Sequence, residues 1–118
     1  MLRREIRGNV VSTTLITGGI AAGDVSITLT NGASFPVGSA SPFIPFVITI
    51  DRGLAAEEKI LVTSRSGNVL TVSARGYDGS TANSHLATAV VDHILDAASL
   101  QDMNTTVYDT KILSWMGL

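Results

Sequence analysis

Alternating apolar and polar positions run through most of this chain and read as strands. In DVSITLTN (24–31), Val25, Ile27 and Leu29 alternate with Ser26, Thr28 and Thr30, the period of two that buries one face of a strand. The β-branched run VVSTTLIT (10–17) predicts another strand, closed by Gly18-Gly19. FVITIDR (46–52) places Phe46, Ile48 and Ile50 on one face. EEKILVTS (57–64) and VLTVSA (69–74) flank the tight turn RSGN (65–68), which predicts a hairpin with Leu70, Val72 and Ala74 on a shared face. ATAVVDHI (87–94) predicts one more strand, with Val90 and Val91 implying burial on both faces.

Two stretches break this pattern. NGASFPVGSASPFIPF (31–46) opens on the Asn31-Gly32 turn and holds all three prolines and all three phenylalanines, Phe35, Phe43 and Phe46. Proline excludes a regular helix or central strand there, so the segment is expected to fold over the end of the sheet with its aromatics plugging the core. From Asp96 the period changes: Leu100, Met103, Val107 and Tyr108 fall at helical spacing, with Asp96 as N-cap and Gly117 as terminator. The expected fold is mainly β, a small antiparallel β-barrel or sandwich of about six strands with a C-terminal helix. It divides into an arm (1–9), a β domain (10–95) and a helix with its tail (96–118).

Composition narrows the function classes. A length of 118 residues favours one domain. No cysteine is present, which excludes disulfides, thiolate chemistry and Cys-based zinc sites. Charged residues make up 15% and the net charge is −2, without the clustered basic surface of a nucleic-acid binder. No apolar stretch approaches the roughly 20 residues of a spanning helix, and MLRREIRGN lacks a following apolar signal core, so no membrane partner is expected. An apolar fraction of 45% beside so few charges suggests a surface shared with neighbours.

Candidate chemistry is sparse. Asp92 and His93 are adjacent in a strand and point to opposite faces. His85 can approach Asp78, but two ligands fall short of the three or four that zinc takes. Glu57 and Glu58 diverge in the same way as Asp92 and His93. ITGGIAAGD matches neither phosphate-loop pattern, and no Gly-x-Ser-x-Gly elbow occurs. Only Tyr77, Tyr108 and Trp115 lie outside the proline-rich segment to offer an aromatic sugar platform. No catalytic residue, cofactor site or metal site is expected.

ARGYDGSTANSH (74–85) instead looks like a self-closing turn. Gly76 and Gly79 suit positive φ. Asp78 can accept from the backbone N–H of Ser80 or Thr81. Arg75 is placed to pair with Asp78 or to reach loop carbonyls, and His85 to anchor the return.

The run 57–104 resembles a small β-domain recurrent in structural proteins of tailed phages. Its pattern is a glutamate-containing strand, a Ser-Gly-Asn hairpin, and a strand entering Arg-Gly-x-Asp-Gly-Ser/Thr-x-Ala-x-x-His, followed by a short strand and a helix. VSITLTNGASFP resembles the domain's opening strand and Phe-Pro corner, so the likeness covers about 24 to 104. Two departures stand out: VGSASPFIP lengthens the usual short link after that corner, offering Phe43 as a contact, and TVYDTKILSWMGL continues past the domain. Such domains occur in tail, baseplate and fibre proteins and on capsids. The resemblance implies a non-enzymatic virion protein of the tail tip, baseplate or fibre attachment, bound to other virion proteins. A capsid decoration protein is the alternative, and a receptor- or glycan-binding module a third.

Charge suggests how copies associate into a trimer or ring. Arg3, Arg4 and Arg7 against Glu5 give the arm a net +2, while Asp92, Asp96, Asp102 and Asp109 against Lys111 give 92–111 a net −3. Such charges steer more than they hold. Ile112, Leu113, Trp115 and Met116 are the candidate apolar anchors.

Overall fold

The computed structural model describes residues 10–16 and 18–94. The arm with Arg3, Arg4 and Arg7, and the expected helix and tail with Ile112, Leu113, Trp115 and Met116, lie outside the described residues.

Six antiparallel strands form one sheet: β1 (Thr13–Thr14), β2 (Ser26–Thr28), β3 (Phe46–Ile50), β4 (Glu58–Ser66), β5 (Val69–Tyr77) and β6 (Val90–Asp92). Their order is β1-β6-β3-β4-β5-β2, and the sheet curls into a half-barrel. The long β4–β5 hairpin forms its spine. Its turn narrows to Gly67-Asn68, with Gly67 at φ 60° and Ser66 paired with Val69. Register shifts between Lys59 and Ser64 bend this pair, as extra residues in one strand do. The outer strands also meet. Leu15 bridges Leu29, the Ile16 N–H donates to Thr28 O, and the Thr30 N–H donates to Thr14 O.

The concave side holds the core. Ile27, Leu29, Phe35, Phe46, Ile48, Ile50, Ile60, Val62, Leu70 and Val91 are at most 1% exposed. The period-two expectation holds for Ile27 and Leu29 but not for Val25, which sits past the paired residues of β2 and is 66% exposed. Val90 also differs from expectation. It points outward while Val91 enters the core, so β6 is buried on one face. β3 is the strand buried throughout, because Val47 and Thr49 on its other face are also covered.

The proline-rich segment divides its aromatics. Phe35 and Phe46 are fully buried, whereas Phe43 is 38% exposed. Arg65 decides which one enters near the Phe-Pro corner. Its Nε donates to the carbonyls of Phe35 and Pro36 at 3.2 Å, and its N–H donates to Val37 O at 2.7 Å. Phe43 lies in a small loop closed by mutual Ser39–Ile44 hydrogen bonds and has no such grip.

Candidate functional site

The residues of 74–85 converge on a partner at the start of β4. Strand β5 extends through Tyr77, so Arg75 and Gly76 leave the sheet's end in register beside Glu58. Glu58 shares the inward face with Ile60 and Val62 and is 0% exposed. A buried carboxylate is tolerated only when paired and hydrogen-bonded. Here Glu58 Oε2 accepts from Arg75 Nε at 2.8 Å and the Gly76 N–H at 2.9 Å. Its Oε1 faces Arg75 Nη2 at 2.9 Å, the Asn83 N–H at 3.0 Å and His85 Nε2 at 2.8 Å.

Arg75 uses its whole donor set. Besides the bidentate pair with Glu58, Nη1 donates to Ala21 O at 2.7 Å and Asp24 O at 3.0 Å, and Nη2 donates to Asn83 O at 2.7 Å. A guanidinium carries five N–H groups, so each has an acceptor. One side chain thereby ties β4 to the 21–24 turn and to the 80–85 loop.

His85 extends the chain of contacts outward. Its side chain is fully buried, with Nδ1 2.8 Å from Asp51 Oδ2. Ionised carboxylates only accept, so both ring contacts are hydrogen bonds when each nitrogen carries its proton. Asp51 adopts φ 56° just after β3, which turns its carboxylate back toward the ring. The His85 backbone exchanges two 2.9 Å hydrogen bonds with Ile20. Gly19, at φ 60°, passes so close that any Cβ there would overlap the His85 carbonyl. Gly76 is similarly confined: at φ 57°, its Cβ would stand 2.9 Å from the Ala82 nitrogen.

These contacts revise the expected ion pair of Arg75. Arg75 pairs with Glu58 and reaches loop carbonyls, and its ion pair is not with Asp78. Asp78, at φ 53°, meets Lys59 Nζ at 3.4 Å, while the Ser80 N–H donates to Tyr77 O. Gly79 takes φ 80°. His85 meets Asp51 and Glu58. Elsewhere, Asp92 accepts from the Ser12 hydroxyl and lies 3.8 Å from Arg52, while His93 Nδ1 faces Val47 O and its ring stands edge-on to Phe46.

No known family model matches the chain, and no curated protein matches it. The site is therefore read from its chemistry alone. Among the described residues no three His, Asp or Glu side chains are grouped to hold a metal ion. The Glu58–Arg75–His85 cluster is a sealed clamp: the three side chains are 0%, 9% and 0% exposed. Period-two reading places Glu58 on the buried face with Ile60 and Val62, and that parity was the one sequence signal for the hub. Nothing in the sequence pairs Asp51 with His85.

Burial pushes the Glu58 carboxyl up, but Arg75 first, then the Asn83 N–H, His85 and the Gly76 N–H, pull it down from 4.5 to about 2. A carboxylate lowered on folding contributes stability above its unfolded pKa and loses it as pH falls through the folded value. Stability should therefore fall between about pH 4.5 and about pH 2, by on the order of 3 kcal/mol from this group. Urea midpoints measured across that window test this, with Glu58→Gln as the reference that lacks the titration. Equal slopes in both proteins would remove Glu58 as the cause.

Proposed function

We propose that the chain is a non-enzymatic structural protein of a tailed-phage virion, a small component of the tail tip, baseplate or fibre attachment. The observation that carries this reading is how its distinctive motif is used. Arg75, Gly76 and His85 turn inward to lock three backbone segments around Glu58. The residues that carry the resemblance thus serve rigidity, which suits a module that transmits load through protein contacts. Exposed Val11, Ile16, Val25, Phe43, Leu54 and Leu86 supply apolar surface for neighbours.

The same reading includes a closed small barrel, and a C-terminal helix with its tail over 96–118. Closure is supported by the Leu15–Leu29 bridge between the outer strands.

Immunogold labelling of particles from the phage that encodes the chain tests the assignment. Label at the tail tip, baseplate or fibre base is expected. Label over the head would favour the decoration alternative, and unlabelled particles would overturn the virion reading.

A further inference from the structure

Asn31 is the one asparagine in the chain that precedes a glycine; the others precede Val10, Val69, Ser84 and Thr105, whose side chains obstruct approach to the carboxamide. An Asn-Gly pair is open to intramolecular attack, which proximity favours. The glycine nitrogen loses its proton to a solvent base and bonds to the asparagine Cγ, and the carboxamide nitrogen takes up a proton and leaves as ammonia. Water then opens the cyclic imide. Breaking its N–Cγ bond gives aspartate. Breaking the bond from that nitrogen to the main-chain carbonyl carbon gives isoaspartate, which carries an extra methylene in the backbone.

The Asn31-Gly32 peptide sits at the seam where the outer strands meet. The Thr30 N–H donates to Thr14 O at 2.8 Å and the Asn31 N–H to Thr13 Oγ1 at 3.0 Å, which ties the segment to β1. The Leu29 N–H donates to Asn68 O at 2.8 Å, and Gly32 O accepts from the Phe35 N–H at 3.0 Å. The Asn31 half of the reaction is prepared. Its residue is exposed, and its Oδ1 accepts from the Ala33 N–H at 3.2 Å, an Asx-turn that folds the carboxamide back across the Gly32 peptide. The Gly32 half is blocked. Its N–H donates to Asn68 Oδ1 at 2.9 Å, and the residue is buried, with Gly67 O 3.2 Å from where a Cβ would stand.

We propose that Asn31 is a latent deamidation site and that Asn68 guards it, by holding the proton that Gly32 must lose before its nitrogen can attack. Reaction then requires the 67–68 turn to part from residue 32, a local opening of the fold. Loss of the Gly32 proton is also the step that limits base-catalysed hydrogen exchange at that amide, so one opening governs both rates. Conversion places a new carboxylate, with or without the extra methylene, at the seam between β1 and β2, and so loosens that seam as the protein ages. The inference concerns the chain alone and stands apart from the virion reading.

The full-length protein is incubated in mildly alkaline buffer, folded or unfolded in guanidinium chloride, and residue 31 is followed by peptide mass spectrometry. The folded chain should convert several-fold more slowly than the unfolded one, with exchange of the Gly32 amide slowed by a similar factor. Asn68→Ala should speed conversion several-fold while its strand circular dichroism is unchanged. Asn68→Asp, which keeps an oxygen for the Gly32 N–H, should stay close to the rate of the unmodified chain. Equal rates in the folded and unfolded chain would overturn the proposal, as would an unaltered slow rate in folded Asn68→Ala. If Asn68→Ala does not fold, exchange in the unmodified protein decides: protection at Gly32 that matches the slowed conversion supports the guard, and an unprotected amide there overturns it.

Discussion

Replacing Arg75 by alanine is expected to destabilise the protein by about 3–5 kcal/mol, the usual cost of removing one partner of a buried ion pair. The loss has two sources. Glu58 would remain inside the sheet without its bidentate partner, and the carbonyls of Ala21, Asp24 and Asn83 would lose a charged donor. Arg75→Lys should recover only part, because an ammonium cannot present a planar fork to five acceptors in three directions. Joint replacement of Glu58 and Arg75 by apolar residues of similar volume should cost less than Arg75→Ala, since no charge is then stranded. Urea denaturation of the three variants measures this. A loss of less than about 1 kcal/mol for Arg75→Ala would place it with exposed pairs and remove the clamp from any account of stability.

Phe35→Ala is expected to cost about 3–5 kcal/mol, and Phe43→Ala only about 0.5 kcal/mol, although both residues stand beside prolines in one segment. Phe35 is fully buried, and its backbone is fixed on both sides, by its N–H to Gly32 O and its carbonyl to Arg65. The site cannot collapse onto the void without breaking those bonds. Phe43 is 38% exposed, so its truncation removes little from the core. Equal shifts in urea midpoint for the two variants would contradict this division.

These cases mark how far the sequence could be read. Strand positions follow from alternation because the sheet buries one face, and Ile27, Leu29, Ile48, Ile60 and Val62 obey it. Alternation fails at Val25 and Val90, where burial depends on how far neighbouring strands extend. It identifies Glu58 as inward-facing but cannot say what compensates its charge. Those partners, Arg75, Gly76, Asn83 and His85, lie 17 to 27 positions further along the chain, distances that no spacing rule encodes. Phe35 and Phe43 look alike in sequence, and the Arg65 grip on the Phe-Pro corner is what separates them.

The strand order has a consequence for synthesis. β1 is made first, yet its ladder partner is β6, with Thr13 opposite Val91. β3 also waits for β6 along one edge, at Thr49 and Ile50. A chain elongating on the ribosome can therefore close the β4–β5 hairpin early, while one edge of β1 and one side of β3 stay unpaired until β6 emerges. That interval leaves exposed edges open to pairing with a neighbouring chain, and the late arrival of β6 ends it.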